Sequence, residues 1–250
     1  MELIDYQNVS LAHKDGEHVL EGVNFHVEDG EFIYLIGRVG SGKSSLLKSI
    51  YGEVDIEDAS KAIVLDQDMT TIRRKEIPAL RRQMGIIFQD FQLLSDRSVY
   101  RNLCFVLKAT GWKDKEKINR RIDEVLSEVS MTEKRDRMPH ELSGGEQQRI
   151  AIARAILNSP KMIIADEPTG NLDAETSDQI IQLLRQISQT GTAVVMSTHN
   201  RQLLEQYRGI VYRCDNGKVE EVTSNYNSLQ IADDESPEGA RVDYSAREEI

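Results

Sequence analysis

The segment Gly37-Arg38-Val39-Gly40-Ser41-Gly42-Lys43-Ser44 fits the pattern GxxxxGK[ST], a glycine-rich loop whose backbone can cradle phosphates. The apolar run Phe32–Ile36 before it reads as a buried strand, and Ser44–Tyr51 after it reads as a helix. Strand, loop and helix in that order are the context the motif requires. Its glycines let backbone N–H groups curl around α- and β-phosphates, and the helix N-terminus adds partial positive charge. Lys43 can reach the β- and γ-phosphates, and the Ser44 hydroxyl can ligate Mg²⁺.

Two further segments complete this chemistry. Met162-Ile163-Ile164-Ala165-Asp166-Glu167 is an apolar strand ending in two acids. Asp166 at the strand tip can hold Mg²⁺ through its water shell, and Glu167 is then placed to orient or deprotonate an attacking water. Leu142-Ser143-Gly144-Gly145-Glu146 has the S-x-x-E spacing of a capping box. A cap alone leaves the glycines without a reason, since each costs about 1 kcal/mol relative to Ala in a helical turn. A close-approaching phosphate would need the bare backbone. Because Gly37–Ser44 already supplies one cradle, the second points to a nucleotide held by another subunit.

Around these segments the chain alternates strands and helices. Leu3–Val9 and Val19–Val27 read as strands flanking a Lys14-Asp15-Gly16 turn, and Met84–Phe88 as another strand. Ser98–Ser130 has helical periodicity, broken near Gly111, and a helix runs from Ser143 to Asn158. A helix near Ala174–Gln189, a strand over Thr192–Met196 and short strands near Gly209–Arg213 and Lys218–Val222 come next. The expected architecture is an α/β P-loop NTPase core over residues 1–222, with N-terminal antiparallel strands and a helical insertion over about 90–140. Residues 224–250 carry seven acidic and two basic side chains, so 223–250 reads as an acidic, disordered tail, with a solvated terminus and a regulatory or docking role both open.

The 250 residues carry a net charge of −11 with 39% apolar side chains, the composition of an ordinary globular protein. The acidic balance argues against broad nucleic-acid binding. No stretch approaches the roughly 20 apolar residues of a membrane helix, and no secretory signal is visible. Any membrane association is therefore expected through a partner. Cys104 and Cys214 have no CxxC or histidine spacing and read as reduced structural thiols.

P-loop, LSGGE segment, Asp-Glu strand end and a late histidine, in this order, resemble the ATPases of ABC transporters over residues 1–222. The resemblance implies a homodimer closing on two ATP, with Mg²⁺. It implies nucleotide contacts from Gly37, Arg38, Val39, Gly40, Ser41, Gly42, Lys43, Ser44 and Ser45, and from the signature residues Ser143, Gly144, Gly145 and Glu146. It also implies Gln89 as a γ-phosphate and Mg²⁺ sensor beside the metal-binding Ser44 and Asp166. Glu167 and His199 become the catalytic pair, and Asn171-Leu172-Asp173 the family's D-loop. His13 stands where the family commonly places a tyrosine to stack on adenine; imidazole can stack with less area.

The run Asp166-Glu167-Pro168-Thr169-Gly170-Asn171-Leu172-Asp173 resembles the branch holding lipoprotein-release, macrolide-export and cell-division ATPases. Ile77–Asp90, continuing through Leu93–Asn102, resembles the bacterial cell-division (FtsE) family within it. That implies an integral membrane partner resembling FtsX, control of cell-wall hydrolysis, and a place at the cytoplasmic face of the inner membrane. The alternatives are a lipoprotein-release or macrolide-export ATPase, a soluble DNA-acting ABC ATPase, or a P-loop kinase, which would leave Ser143–Glu146 without a purpose. Phe91, Leu93, Leu94, Tyr100 and Trp112 either fill the core of the insertion or line a groove for a partner's helix.

Overall fold

The computed structural model describes residues 1–12, 18–200 and 202–227. Strands β1 (Glu2–Ala12), β2 (His18–Glu28), β4 (Ile56–Asp58), β5 (Lys61–Val64) and β6 (Gln67–Asp68) form an antiparallel sheet in the order β2-β1-β5-β6, with β4 beside β1. A second sheet has the order β11-β10-β3-β9-β8-β7. It consists of β3 (Phe32–Ile36), β7 (Met84–Ile87), β8 (Met162–Ala165), β9 (Ala193–Thr198), β10 (Ile210–Asp215) and β11 (Lys218–Glu221). All its pairings are parallel except β10 with β11. The helices are α1 (Lys43–Ile50), α2 (Ile77–Arg81), α3 (Val99–Ala109), α4 (Lys115–Glu128), α5 (Gly144–Ile156), α6 (Ala174–Gln189), α7 (Gln202–Gln206) and α8 (Ser224–Asn227).

Every residue of β3, β8 and β9 is buried, which is why these segments read as unbroken apolar runs rather than alternating ones. Side chains alternate between the two faces of a strand, and here each face meets a different core. Tyr34, Ile36, Ile163, Ala165, Val194 and Met196 join the core shared with α5, α6 and the insertion. Ile33, Leu35, Met162, Ile164, Ala193 and Val195 join the core under α1 and the antiparallel sheet.

The insertion lies between β7 and β8. Ser98 caps α3 by accepting from Arg101 N–H, and Asp114 caps α4 by accepting from Glu116 N–H at 2.9 Å and Lys117 N–H at 3.1 Å. Between them Gly111 takes φ 102, a left-handed turn that ends the first helix where the sequence indicates. Leu103, Leu107, Ile118, Ile122, Val125 and Leu126 supply its core. Leu93, Tyr100 and Trp112 pack against that core. The Tyr100 hydroxyl donates to Asn119 Oδ1 at 2.7 Å, the Arg135 guanidinium lies 4.2 Å above its ring, and Trp112 Nε1 donates to Asn158 Oδ1 at 3.1 Å. These three aromatic and apolar groups fill the insertion rather than forming an open groove.

Several elements have no counterpart among the expectations. β4, β5 and β6 are two to four residues long, too short to establish a period, and they exist through pairing with β1 or with each other. α2 and α7 are single turns. The expected Lys14-Asp15-Gly16 turn and His13 lie outside the described residues. The fold continues past 222: Tyr226 of α8 packs on the core, while 228–250 lie outside the described residues. Both cysteines are free and buried, and burial pushes the Cys214 thiol up to about 12.

Asn102 ties the segment after Gln89 to α3. Its amide donates to the carbonyls of Leu94, Arg97 and Ser98, and its Oδ1 accepts from Leu94 N–H at 2.8 Å. The side chain is buried, so Asn102→Ala strands several polar groups at once. The expected loss is about 2–4 kcal/mol, checked by the urea midpoint at unchanged m-value.

Candidate active site

Strand register brings the sequence motifs to one edge. Ile36 of β3 lies opposite Thr198 of β9, Met196 of β9 opposite Ala165 of β8, and Ala165 opposite Ile87 of β7. The residues just past these strand ends emerge at the carboxyl edge of a parallel sheet, where α/β folds place their ligands. They are Gly37, His199, Asp166 with Glu167, and, two residues on, Gln89.

The loop Gly37–Gly42 arches over its own lysine. Lys43 is 5% exposed and its Nζ donates to the carbonyls of Gly37 at 2.9 Å and Arg38 at 3.0 Å. Gly37 sits at φ 147, and a Cβ there would lie 2.3 Å from the Cys214 carbonyl oxygen, so no other residue fits. Ser41 Oγ is buried without a hydrogen-bond partner among the described residues. Arg38, Val39, Gly40 and Ser44 are exposed, and Ser45 is half-buried. A bare outer face, an ammonium beneath it and an unpaired hydroxyl fit a polyanion.

The acid pair is held by a residue that no motif indicated. Ser197 Oγ donates to Asp166 Oδ1 at 2.6 Å and accepts from Glu167 N–H at 2.8 Å. Glu167 has φ 46, a left-handed conformation costing about 1–3 kcal/mol in a non-glycine residue and typical of functional sites. Gly170 N–H closes the turn by donating to the Glu167 carbonyl at 3.0 Å. Glu167 Oε2 lies 3.0 Å from His199 Nδ1. A side chain at Gly170 would meet Gln89 Nε2 at 3.3 Å and Glu167 Oε2 at 3.4 Å, so Gln89 and Glu167 flank the same glycine. Asn171 Nδ2 donates to the Gln89 carbonyl at 3.1 Å. Ser44, Gln89 and Asp166 offer the hard oxygen donors that Mg²⁺ takes.

The signature segment sits apart from this set. Ser143 caps α5, accepting from Glu146 N–H at 3.3 Å, while Glu146 Oε2 accepts from Ser143 N–H at 2.8 Å. Lys134, 2.9 Å from Glu146, holds that carboxyl below the usual carboxylate range, with the Ser143 N–H adding to the effect. A Cβ on Gly145 would lie 2.5 Å from Thr176 Cγ2, and one on Gly144 would touch Leu172 and Phe91. A phosphate is therefore not the only reason for bare backbone here: close packing of α5 on α6 already requires Gly145. The neighbours that would crowd a side chain at Gly144 or Gly145 are Phe91, Leu172 and Thr176, and Lys134 pairs with Glu146.

Residues 20–170 match the ABC transporter family profile. The cell division ATP-binding protein FtsE of Streptococcus pneumoniae serotype 2 (strain D39) is 43% identical over 219 residues, which cover 88% of this chain and 94% of that protein. The fold is similar to cbiO1 from Clostridium perfringens, part of the ABC transporter complex cbiONQ, with TM-score 0.84, 27% identity and 92% of each chain covered. It is also similar to a dimeric ATP-binding cassette in a post-hydrolysis state bound to ADP and Pi, with TM-score 0.77, 29% identity, and 88% of this chain and 99% of that one covered. With P-loop, acid pair and histidine gathered at one sheet edge, the chain belongs to the ABC transporter ATPases, on their branch of cell-division ATP-binding proteins, FtsE.

Proposed function

We propose that this chain hydrolyses ATP as a homodimer and drives an integral membrane partner of the FtsX type at the cytoplasmic face of the inner membrane. The observation that carries the catalytic part is the Glu167–His199 contact of 3.0 Å beside the Ser197-bracketed Asp166. Gly37–Ser45 bind the triphosphate through backbone N–H groups and Lys43. Glu167 orients the attacking water and takes its proton. With Nδ1 protonated, His199 donates to Glu167 and fixes its direction, a positioned acid–base arrangement. Ser44, Gln89 and Asp166 would hold Mg²⁺, which when bound neutralises charge on the phosphates.

The signature supports a second chain in the site. Ser143 is exposed at the start of α5, where its hydroxyl can face another molecule. A partner's nucleotide meeting Ser143–Glu146 would give each ATP two subunits. The membrane partner has a candidate seat in a groove of about 450 Å³ between α2 and β7 on one side and α3 on the other, lined by Pro78, Arg82, Ile86, Val106, Ala109 and Arg154 among others. Arg154 also donates to the Phe91 carbonyl at 2.9 Å, two residues from Gln89, so the groove adjoins the γ-phosphate sensor. Among the described residues no helix is long and apolar enough to cross a membrane.

Glu167→Gln is expected to leave nucleotide affinity near the native value while turnover falls by about 10²–10⁴; native turnover in the variant would remove Glu167 from the reaction. Sedimentation of that variant should give a dimer with Mg-ATP and a monomer with ADP, because a ligand that binds the closed dimer better shifts the equilibrium towards it. A monomer at saturating Mg-ATP and micromolar protein would rule out the shared site for the isolated chain. Arg82→Glu and Ala109→Glu, both at exposed groove positions, should reduce capture of the membrane partner about tenfold or more and leave soluble turnover unchanged. Equal loss of both would place the groove in the catalytic fold rather than the docking surface.

A further inference from the structure

A cavity of about 370 Å³ opens beside the P-loop, lined by Gly37, Arg38, Thr198, His199, Arg213 and Tyr226, with Ile36, Cys214 and Asp215 completing it. Tyr226 is the least expected member. It comes from α8, past the last sheet strand, and it is the next-to-last residue described. The half-buried ring packs on the core that holds the parallel sheet and α6, and its N–H donates to the Thr223 carbonyl at 3.1 Å. The described chain therefore ends at the rim of the nucleotide site.

The sequence beyond Asn227 has the charge of a phosphate mimic. Residues 228–250 carry seven acidic and two basic side chains, and Asp233, Asp234, Glu235 and Glu238 fall within six positions. The rim offers Arg38, Arg213 and His199. Lys43 lies beneath the loop, and the N-terminus of α1 points its N–H groups into it. Against these stand Asp215 on the rim, Glu220 at 3.4 Å from Arg213, and Glu167 at 3.0 Å from His199. Among the described residues no carboxylate pairs with Arg38. Asp233 to Glu238 lie six to eleven residues beyond Asn227, and a linker of that length reaches about 13–18 Å, enough to return to a rim that begins at Tyr226.

We propose that the acidic segment 228–250 docks at this rim and competes electrostatically with the phosphates of the nucleotide, making it a built-in brake on nucleotide loading. The proposal rests on the reading of Gly37–Ser44 as the nucleotide site. It concerns binding, so it is distinct from the catalytic role of Glu167. Release of the brake needs only a competing polycation or a partner that captures the segment.

The test compares three proteins: the full chain, a chain truncated after Asn227, and a full-length variant with Asp233→Asn, Asp234→Asn, Glu235→Gln and Glu238→Gln. A fluorescent ADP analogue reports Kd at low salt and at about 0.5 M salt, and thermal midpoints check that all three fold alike. Truncation and neutralisation should each tighten Kd by about three- to tenfold at low salt, and the gap should close at high salt as exposed charges are screened. A synthetic peptide of residues 228–250 should weaken binding to the truncated chain in trans. Equal Kd for all three at low salt overturns the proposal, as does a neutralised variant that binds like the native chain. Failure of every protein to bind the analogue would instead remove the nucleotide site itself, and the proposal with it.

Discussion

Parallel strands that end at one edge of the sheet set the geometry on which everything else rests. β3, β9, β8 and β7 pair so that Ile36, Thr198, Ala165 and Ile87 finish at one edge. Each strand divides its side chains between two cores, Ile33 and Leu35 to one, Tyr34 and Ile36 to the other. A one-residue slip would carry every side chain to the opposite core. Register is thus fixed by packing on both faces, and the loops beyond the strands inherit that fixed position. The site owes its precision to apolar contacts that include none of its polar groups.

On that frame a single hydroxyl does much of the local alignment. Ser197 bonds to the Asp166 carboxylate and to the Glu167 N–H, so two consecutive acids from β8 are referenced to one residue of β9. The left-handed Glu167 backbone is strained, and such strain persists only where neighbours over-determine it. Here Ser197, the Gly170 N–H and His199 act together on one residue. Turning Glu167 in this way aims it across the edge rather than along its own strand.

Much of this was legible in the sequence because its signals are local. Gly37–Ser44, the Asp166-Glu167 strand end and the S-x-x-E cap each carry their geometry within a few residues, and the doubly buried strands announce themselves as apolar runs. The role of Ser197 was not legible: its importance comes from pairing with β8, a contact 30 residues away in sequence. β4 and β5 likewise exist because β1 offers them an edge. Gly145 shows a subtler gap. The need for a bare backbone is visible in the residue type, but Thr176 of a later helix fills the space. Sequence spacing reveals that room is needed without revealing what occupies it.

That Gly145 contact has a mechanical consequence. Asp173 caps α6 by accepting from Thr176 N–H at 2.9 Å, and Thr176 is the residue packed on Gly145. The neighbouring Leu172 lies where a side chain on Gly144 would meet it, and Asn171 donates to the Gln89 carbonyl at 3.1 Å. Gln89 and Glu167 flank Gly170. A run of neighbouring residues therefore leads from the acid at the sheet edge to the start of α5 through Asn171, Leu172 and Asp173. Packed interfaces of this kind shift as units rather than deform smoothly. A change at Gln89 would then reach Ser143 as a displacement of the whole 171–173 turn, so the start of α5 and the sheet edge move together.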